Sequence, residues 1–454
     1  MHRGKEGAVN QSPSFIHSVT LDAEKCRGCT NCIKRCPTEA IRVRGGKAQI
    51  TESLCIDCGE CIRICPYKAK KPIFDKFEDI SRFKYKIALP APALFGQFDN
   101  MDDVDYVLDG LLRIGFDDVF EVSRAAEIVT EFTRKYMEKR DASDPPVISS
   151  ACPVIVRLIA TRFPYLCDSL LPLLAPVELA ARMARREALE NHPELTSEEI
   201  GIFFISPCPA KVSYVKNPIG VEKSEIDGAL SISELYFKLV PAMKPITRPR
   251  LLSRSGVIGI SWATTGGEAA GLLNGKYLAA DGIENVIKVL DEIENENISD
   301  LDFIELNACA GGCVGGMLTV ENPYIAKARL QELRKYLPLS QNHMALAQES
   351  AQTLKWQQGI SYRPVNLLDS DMTTAISKRA AIDDLVNTLP GLDCGSCGAP
   401  SCKALAEDII QGKAYESDCI FKMKEKIQEI FRKMADIEHY HLDTGTDDSK
   451  SGQN

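Results

Sequence analysis

The residues with the most chemistry to offer are cysteines: 17 of them, an odd number, in a chain of 454 residues. A chain this long does not need a disulfide framework. In a reducing compartment, clustered thiols serve as metal ligands or catalytic groups. They fall into three blocks. The first holds two runs of one spacing, Cys26-x2-Cys29-x2-Cys32-x3-Cys36-Pro37 and Cys55-x2-Cys58-x2-Cys61-x3-Cys65-Pro66. The second is spread over loops: Cys152 in SSACPV, Cys208 in SPCPAK, and Cys309 and Cys313 in ELNACAGGCVGG. The third is Cys394-x2-Cys397-x4-Cys402-x16-Cys419.

These spacings point to iron–sulfur chemistry. Three close cysteines wrap three corners of a [4Fe–4S] cube. The first block has the spacing of a bacterial two-cluster ferredoxin, in which the fourth cysteine ligates the other cube. On that reading Cys26, Cys29, Cys32 and Cys65 hold one cluster, and Cys55, Cys58, Cys61 and Cys36 hold the other. Zinc knuckles are the alternative, but eight thiolates in two identical runs over-supply zinc. The third block is a further four-thiolate cage, whose glycines let the backbone approach the sulfurs. It resembles the small four-cysteine modules of corrinoid iron–sulfur proteins and electron-transport ferredoxin subunits; a structural zinc also suits it. In the middle block, Cys309 and Cys313 can face one object, and a cubane on Cys152, Cys208, Cys309 and Cys313 is the simplest reading. Buried free cysteines behave as small hydrophobes. That accounts for Cys167 in RFPYLCDSLL, but not for four cysteines in Pro/Gly loops.

The elements that must place these loops read as α/β. PVISSACP, IGIFFISPCP, SGVIGISWATTGG and LDFIELNACAGG each set apolar, β-branched residues before a small-residue loop. Helical patterns such as VELAARMARREALE (177–190) intervene. The alternation argues for parallel strands, whose sites gather on loops at the carboxyl ends. IALPAPALFG (87–96) reads as a further strand start and ENPYIAKARLQELRKYLPL (321–339) as a helix. A helical pattern resumes at IDDLVNTL (382–389).

At roughly 100–200 residues per domain the length predicts two to four domains. We expect an α+β ferredoxin domain at 1–83 with 1–16 flexible, an α/β domain at 84–340, a linker at 341–378, a small helical four-cysteine domain at 379–440 and a disordered tail at 441–454. The net charge of -9 argues against a nucleic-acid partner. No apolar run reaches the roughly 18 residues of a membrane span. The first residues lack the apolar core of a signal peptide, so the expected location is the cytoplasm.

The middle loops resemble the three signature segments of the [FeFe]-hydrogenases over about residues 87–330. SSACPV matches the first, SPCPAK the second and FIELNACAGGCVGG the third, in the family's order. The resemblance implies two parallel-sheet lobes around an H-cluster. That cofactor is a [4Fe–4S] cube on Cys152, Cys208, Cys309 and Cys313, with Cys313 bridging to a di-iron unit bearing CO, cyanide and a dithiolate with a central amine. The amine is the base in heterolytic splitting of H2. Lys211 stands where the family's cyanide-binding lysine does, and an ammonium is a compact charge for an anionic ligand. Pro92 and Ala93 of APA (91–93) resemble the loop lining the same subsite, and SWATTGGEAAG (261–271) the glycine-rich loop over it. With the other two blocks, the resemblance implies three further [4Fe–4S] clusters.

The sequence departs from the family along its proton wire. The cysteine that passes protons to the amine is here Ala151, which carries none. The relay glutamates are not kept in EIVTEFTRKYM (127–137), where Phe132 and Lys135 stand at their positions. The relay serine region is LLPLL (170–174), and two methionines that pack on the di-iron unit are Ser206 and Asn307. Glu268, in the glycine-rich loop, is the candidate for an alternative relay; a glutamate is also at home at a helix start.

Ligands kept and relay lost resemble the sensory type of [FeFe]-hydrogenase, here in the variety without a PAS domain. That type implies H2 and protons as substrates, slow turnover, a ferredoxin or other redox partner and a signalling partner. A competing reading is a hydrogenase-like protein of cluster assembly, resembling the prelamin recognition factor-like proteins, which lacks the di-iron unit.

Overall fold

The computed structural model describes residues 17–99, 101–141, 144–298, 300–342, 349–362, 368–369 and 371–443. The expected flexible start at 1–16 and most of the expected tail lie outside them. The strands are β1 (Val19–Leu21), β2 (Ile41–Arg44), β3 (Lys47–Ile50), β4 (Lys70–Pro72), β5 (Tyr85–Pro90), β6 (Asp118–Val119), β7 (Val147–Ile148), β8 (Ile200–Ser206), β9 (Gly228–Ser231), β10 (Tyr277–Asp281) and β11 (Phe303–Asn307). The chain forms two compact units. One joins 1–22 to 52–365, the other 23–51 to 366–454. The two ferredoxin-type cysteine runs therefore fall in different units, a division that sequence spacing does not announce.

The larger unit holds two parallel sheets, as expected for the α/β domain. One has the order β6-β5-β8-β9 and the other β10-β11-β7. Strand β8, IGIFFIS, is buried at all seven positions. Such unbroken apolar runs mark strands covered on both faces. Ile87, Leu89, Ile202 and Phe204 pack to one side with the helices Val122–Met137 and Pro176–Asn191. Ala88, Phe203, Ile205 and Leu230 pack to the other with Asp105–Arg113 and Ile232–Met243. Under the second sheet, Ile148, Ile304 and Leu306 meet the helices Pro153–Arg162 and Ile283–Glu294. Strands β1 and β4 form an antiparallel pair in the same unit.

Three of the four expected strand-then-loop segments are strands. The fourth, SGVIGISWATTGG, is instead two short helices, Val257–Ser261 and Gly267–Gly271. Short apolar runs do not distinguish strand from buried helix by pattern alone. The neighbouring strand position belongs to β10, paired with β11 from Tyr277↔Phe303 to Asp281↔Asn307. The helix read over 321–339 spans Pro323–Arg334. The helical pattern read at 382–389 begins earlier, at Met372, inside the stretch expected to be linker. The last helix runs to Asp443, into the expected tail.

In the smaller unit, β2 and β3 form a hairpin turned by Gly45 and Gly46, both at positive φ (56° and 72°), as a primed turn requires. The hairpin carries the loop of the third cysteine block. Val43 N donates to Gly398 O at 2.8 Å, and Arg44 donates to Cys397 O at 2.8 Å. Asp408 accepts from Arg42 Nε and from Arg44, each at 2.7 Å, and is buried between them. Removing one member of a buried ion group leaves uncompensated charge and costs about 3–5 kcal/mol. The substitution Asp408→Ala is therefore expected to lower the stability of the reconstituted chain by about 3 kcal/mol, read as an earlier loss of cluster absorption in denaturant. An unchanged midpoint would show that the triad contributes nothing net.

Candidate active site

The middle-block cysteines sit at the carboxyl ends of parallel strands, Cys152 after β7, Cys208 after β8, and Cys309 and Cys313 after β11. Cys152 and Cys208 each cap a helix that opens with proline, at Pro153 and Pro209. Proline at the first helical position is pre-set for the turn, and the helix start favours negative charge on the capping thiol. The loop after β11 is folded by glycine. Gly312 has φ 89°, and a Cβ there would lie 2.6 Å from Thr265 N. Val314 N donates to Ala263 O at 3.1 Å and Leu318 N to Pro207 O at 2.8 Å, which tie this loop to its neighbours.

The four thiols share one electrostatic environment. Burial raises the pKa of Cys152, of Cys309 well above its ordinary value, and of Cys208 to about 12, and the sulfurs raise one another. Cys152, Cys208 and Cys309 so placed do not ionise by themselves. A bound cation must supply the compensating charge, and metal binding displaces the protons. Lys211 lies with them, its Nζ donating to Cys313 Sγ at 3.3 Å. Burial works against its ammonium, but the sulfurs of Cys313, Cys208 and Cys152 outweigh that and raise its pKa. The donor set thus fits a thiolate-ligated iron cluster with a fixed positive charge beside Cys313.

Beside the thiols is a cavity lined in part by Ala91, Pro92, Ala151, Lys211, Trp262, Glu268, Glu305, Asn307 and Cys313. Pro92 is where the sequence placed it, whereas Ala93 is turned by the 3-10 helix Pro92–Gln97 into the core behind β5 and β8. Ala91 takes the lining position. Ala151 stands at the cavity wall and offers only a methyl group. Ser206 does not line the cavity: its hydroxyl donates to Cys208 O at 2.9 Å and braces that loop.

No carboxylate of the helix Val122–Met137 lines this cavity. Phe132 is in the core with Lys135 over its ring, and Glu131 is paired with Arg134. Glu127 is buried and accepts from Ser340 Oγ at 2.7 Å and from the amide of Asn342 at 2.8 Å. Leu170, Leu171, Leu173 and Leu174 are buried and apolar.

Glu268 is in the cavity wall, buried, with Ser149 Oγ donating to it at 2.7 Å. Burial and the neighbouring Glu305 push its pKa up to about 8. Glu305 is also raised, chiefly by burial, although Gly266 N, Ala269 N and Asn307 Nδ2 donate to it at 2.9, 2.9 and 2.8 Å. The sequence reading missed Glu305. Its signal was an acid inside the otherwise apolar strand FIELN, which must be buried and therefore held by donors or neutral.

The second ferredoxin-type run is pressed against the Cys313 loop within the same unit. A Cβ on Gly59 would lie 2.6 Å from Met317, and Arg63 donates to Gly315 O at 2.9 Å. Cys58 packs against the same apolar group as Cys152 and Cys208. Cys65 accepts from Ala69 N at 3.3 Å, while in the other unit Cys26 and Cys36 accept from Ala48 N at 3.4 Å and Ala40 N at 3.2 Å. Burial works against the Cys65 thiolate, but backbone donors at Lys70, Ala69 and Tyr67 outweigh it. Amide donors to sulfur are a known control of cluster ligands. In the third block the Ser396 backbone and hydroxyl hold the Cys394 thiol below its ordinary range.

Fold and donor sets together define an iron–sulfur protein with a buried, thiolate-lined redox site. Comparison with known proteins names the class. The family "Iron only hydrogenase large subunit, C-terminal domain" matches residues 84–243 and 254–317. A 4Fe-4S dicluster domain matches 18–66 and an Fe-S cluster family matches 389–421. The chain carries the iron-only hydrogenase large-subunit domain, flanked by two iron–sulfur modules, and is a hydrogenase-like iron–sulfur protein.

It is 25% identical over 370 residues to iron hydrogenase 1 of Clostridium pasteurianum, an alignment covering 66% of this chain and 64% of that protein. It is 25% identical over 366 residues to the periplasmic [Fe] hydrogenase large subunit of Nitratidesulfovibrio vulgaris, covering 67% of this chain and 86% of that one. A solved variant of [FeFe]-hydrogenase HydA1 from Chlamydomonas reinhardtii aligns with TM-score 0.49 and 16% identity over 63% of this chain and 96% of that one. Among the described residues no helix is long and apolar enough to cross a membrane.

If the middle cysteines hold a cubane, substituting one of them removes iron. Reconstituted Cys309→Ala is expected to retain about four fewer irons per chain than the parent, by colorimetric assay. Equal iron would mean that the middle thiols are structural.

Proposed function

We propose that the chain is an [FeFe]-hydrogenase that holds an H-cluster on Cys152, Cys208, Cys309 and Cys313, turns over slowly and serves to sense H2 or redox state. The observation that carries this reading is the meeting of three features in one place: the four-thiol cage, the Lys211 ammonium against Cys313, and a cavity walled by Glu268. When bound, the di-iron unit supplies the heterolytic chemistry of H2. The chain's own residues hold and orient it and move protons.

Lys211 offers its fixed charge to an anionic ligand in the cavity, where low dielectric strengthens the attraction. Ala151 leaves the wall beside Cys152 without an acid. Glu268 takes over that role. It holds a proton at its carboxyl below about pH 8 and exchanges it through the Ser149 hydroxyl at 2.7 Å and the neighbouring Glu305. A relay must both accept and donate, and a pKa near the working pH serves both steps. Electrons arrive through the second cysteine run, which lies against the Cys313 loop, from a ferredoxin or another redox partner. Slow turnover with intact ligands suits a sensor, and the thiolate cage on Cys394, Cys397, Cys402 and Cys419 is the contact for a signalling partner.

The test is H2 evolution and oxidation by the chain loaded with clusters and a synthetic di-iron unit. In the evolution direction Glu268 must be protonated, so the rate is expected to fall as pH rises through about 8. Glu268→Gln cannot carry the proton. It is expected to lower turnover ~100-fold or more and to erase that limb of the pH profile. Ala151→Cys restores an acid at the wall and is expected to raise turnover. Glu268→Gln with unchanged rate and pH profile would overturn the relay. No turnover in any variant, with all cubanes present, would favour the assembly-type reading.

A further inference from the structure

The last helix, Ile420–Asp443, leaves the four-cysteine module directly after Cys419 and is 24 residues long. Every described side chain on it from Met423 to Ala435 is exposed. An isolated helix in water draws little stability from propensity alone and is held in proteins by packing an apolar face. This helix has such a face and leaves it bare. Ile420, Met423, Ile427, Ile430 and Met434 are 44%, 46%, 45%, 51% and 55% exposed. Their spacing alternates three and four. That is the a/d pattern of a coiled coil rather than the wider stripe of a helix lying on a globular core.

The flanking charges select an occupant and an orientation. With Ile420, Ile427 and Met434 at a, the g positions are Lys426 and Lys433 and the e positions are Lys424 and Phe431. In a parallel pair of identical helices, g of one faces e of the next heptad on the other, so Lys426 meets Phe431 of the second copy. The lysine stem covers the ring and its ammonium can sit over the face. An antiparallel pair sets g against g and brings Lys426 of one copy to Lys433 of the other, a like-charge contact. Within its own helix Lys433 is paired with Glu429 at 2.6 Å. An acidic partner helix is not called for, because the stripe is flanked by an aromatic residue as well as by lysines.

We propose that this helix is a dimerisation element: two copies of the chain join through a parallel coiled coil of Ile420–Met434. The pairing sets the two Cys419 residues, and so the two C-terminal cysteine modules, at the same end of one rod. A change in one module can then be felt by its twin. The rod is short, about two heptads of described a and d positions, so the association is weak and reversible.

The experiment is sedimentation equilibrium on the full reconstituted chain across a wide dilution series. The expected result is a dimer that dissociates on dilution. The double variant Ile427→Asp with Ile430→Asp places charge in the seam and is expected to weaken association ~10-fold or more, with iron content unchanged because the helix surface is exposed. Lys426→Glu discriminates orientation: it leaves a parallel dimer no tighter, whereas it would strengthen an antiparallel one. A chain monomeric at every concentration would overturn the proposal, as would a dimer indifferent to the double variant. A monomer whose helix instead binds anionic phosphatidylglycerol vesicles would overturn it in favour of a membrane-surface role.

Discussion

Four thiols held together out of water are the constraint on which the rest of this structure depends. Burial makes Cys152, Cys208 and Cys309 costly to ionise, and the neighbouring sulfurs make them costlier. Multivalent cations make the thiolate form favourable here, because their charge replaces the protons that the buried sulfurs otherwise keep. The architecture follows from the need to bring four such groups to one point from distant parts of the chain. Parallel strands do this, since within each sheet the carboxyl ends lie on one edge. Strands β7, β8 and β11 each deliver a cysteine loop, and β5 delivers the Ala91–Pro92 wall. The doubly covered, apolar strands keep those ends fixed. Prolines at the helix starts and glycines in the Cys309–Cys313 loop then set the last ångström.

The same burial that raises the thiols raises Glu268 and Glu305, with a different consequence. Burial keeps protons on these carboxyls to higher pH than usual, and the pair shares a cavity with Lys211 and Cys313. The side chains at the sequence positions of the usual relay are otherwise engaged: Phe132 in the core and Ala151 inert. Glu131 and Glu127 on the same helix are committed to Arg134 and to the loop at Ser340–Asn342. Those two carboxylates serve structure, and the carboxylates that line the cavity are Glu268 of the glycine-rich loop and Glu305 of β11.

Much of the site was legible in the sequence because metal ligation has a strict grammar. Cysteine type, spacing, and the proline or glycine beside it single out the loops that the strands bring together at Cys152, Cys208, Cys309 and Cys313 without any knowledge of the fold. Strand β8 was equally legible, since the unbroken non-polar run IGIFFI before a small-residue loop leaves few alternatives. Val257–Ser261 was misread as a strand because a short β-branched run carries no period to decide between strand and helix. Glu305 was passed over because an acid within a strand looks like a surface residue until both faces of the sheet are known to be covered. Ala93 was placed on the wall by its motif, but the 3-10 helix that starts at Pro92 turns its side chain into the core, and Ala91 lines the cavity instead. The separation of the two ferredoxin-type runs into different units was invisible, because it rests on contacts such as Arg42 and Arg44 with Asp408, more than 360 residues apart in sequence.

The proposed function requires that the buried thiols and the cavity beside them accept a di-iron unit responsive to H2. Infrared spectroscopy of the reconstituted chain, after addition of a synthetic di-iron unit with CO and cyanide ligands, tests it most directly under H2 and then under nitrogen. Sharp CO and cyanide bands that shift between the two gases are expected, with the cyanide bands displaced when Lys211 is replaced by methionine. A chain that keeps its cubanes but shows no such bands would contradict it, and the middle thiols would then serve electron transfer or assembly alone.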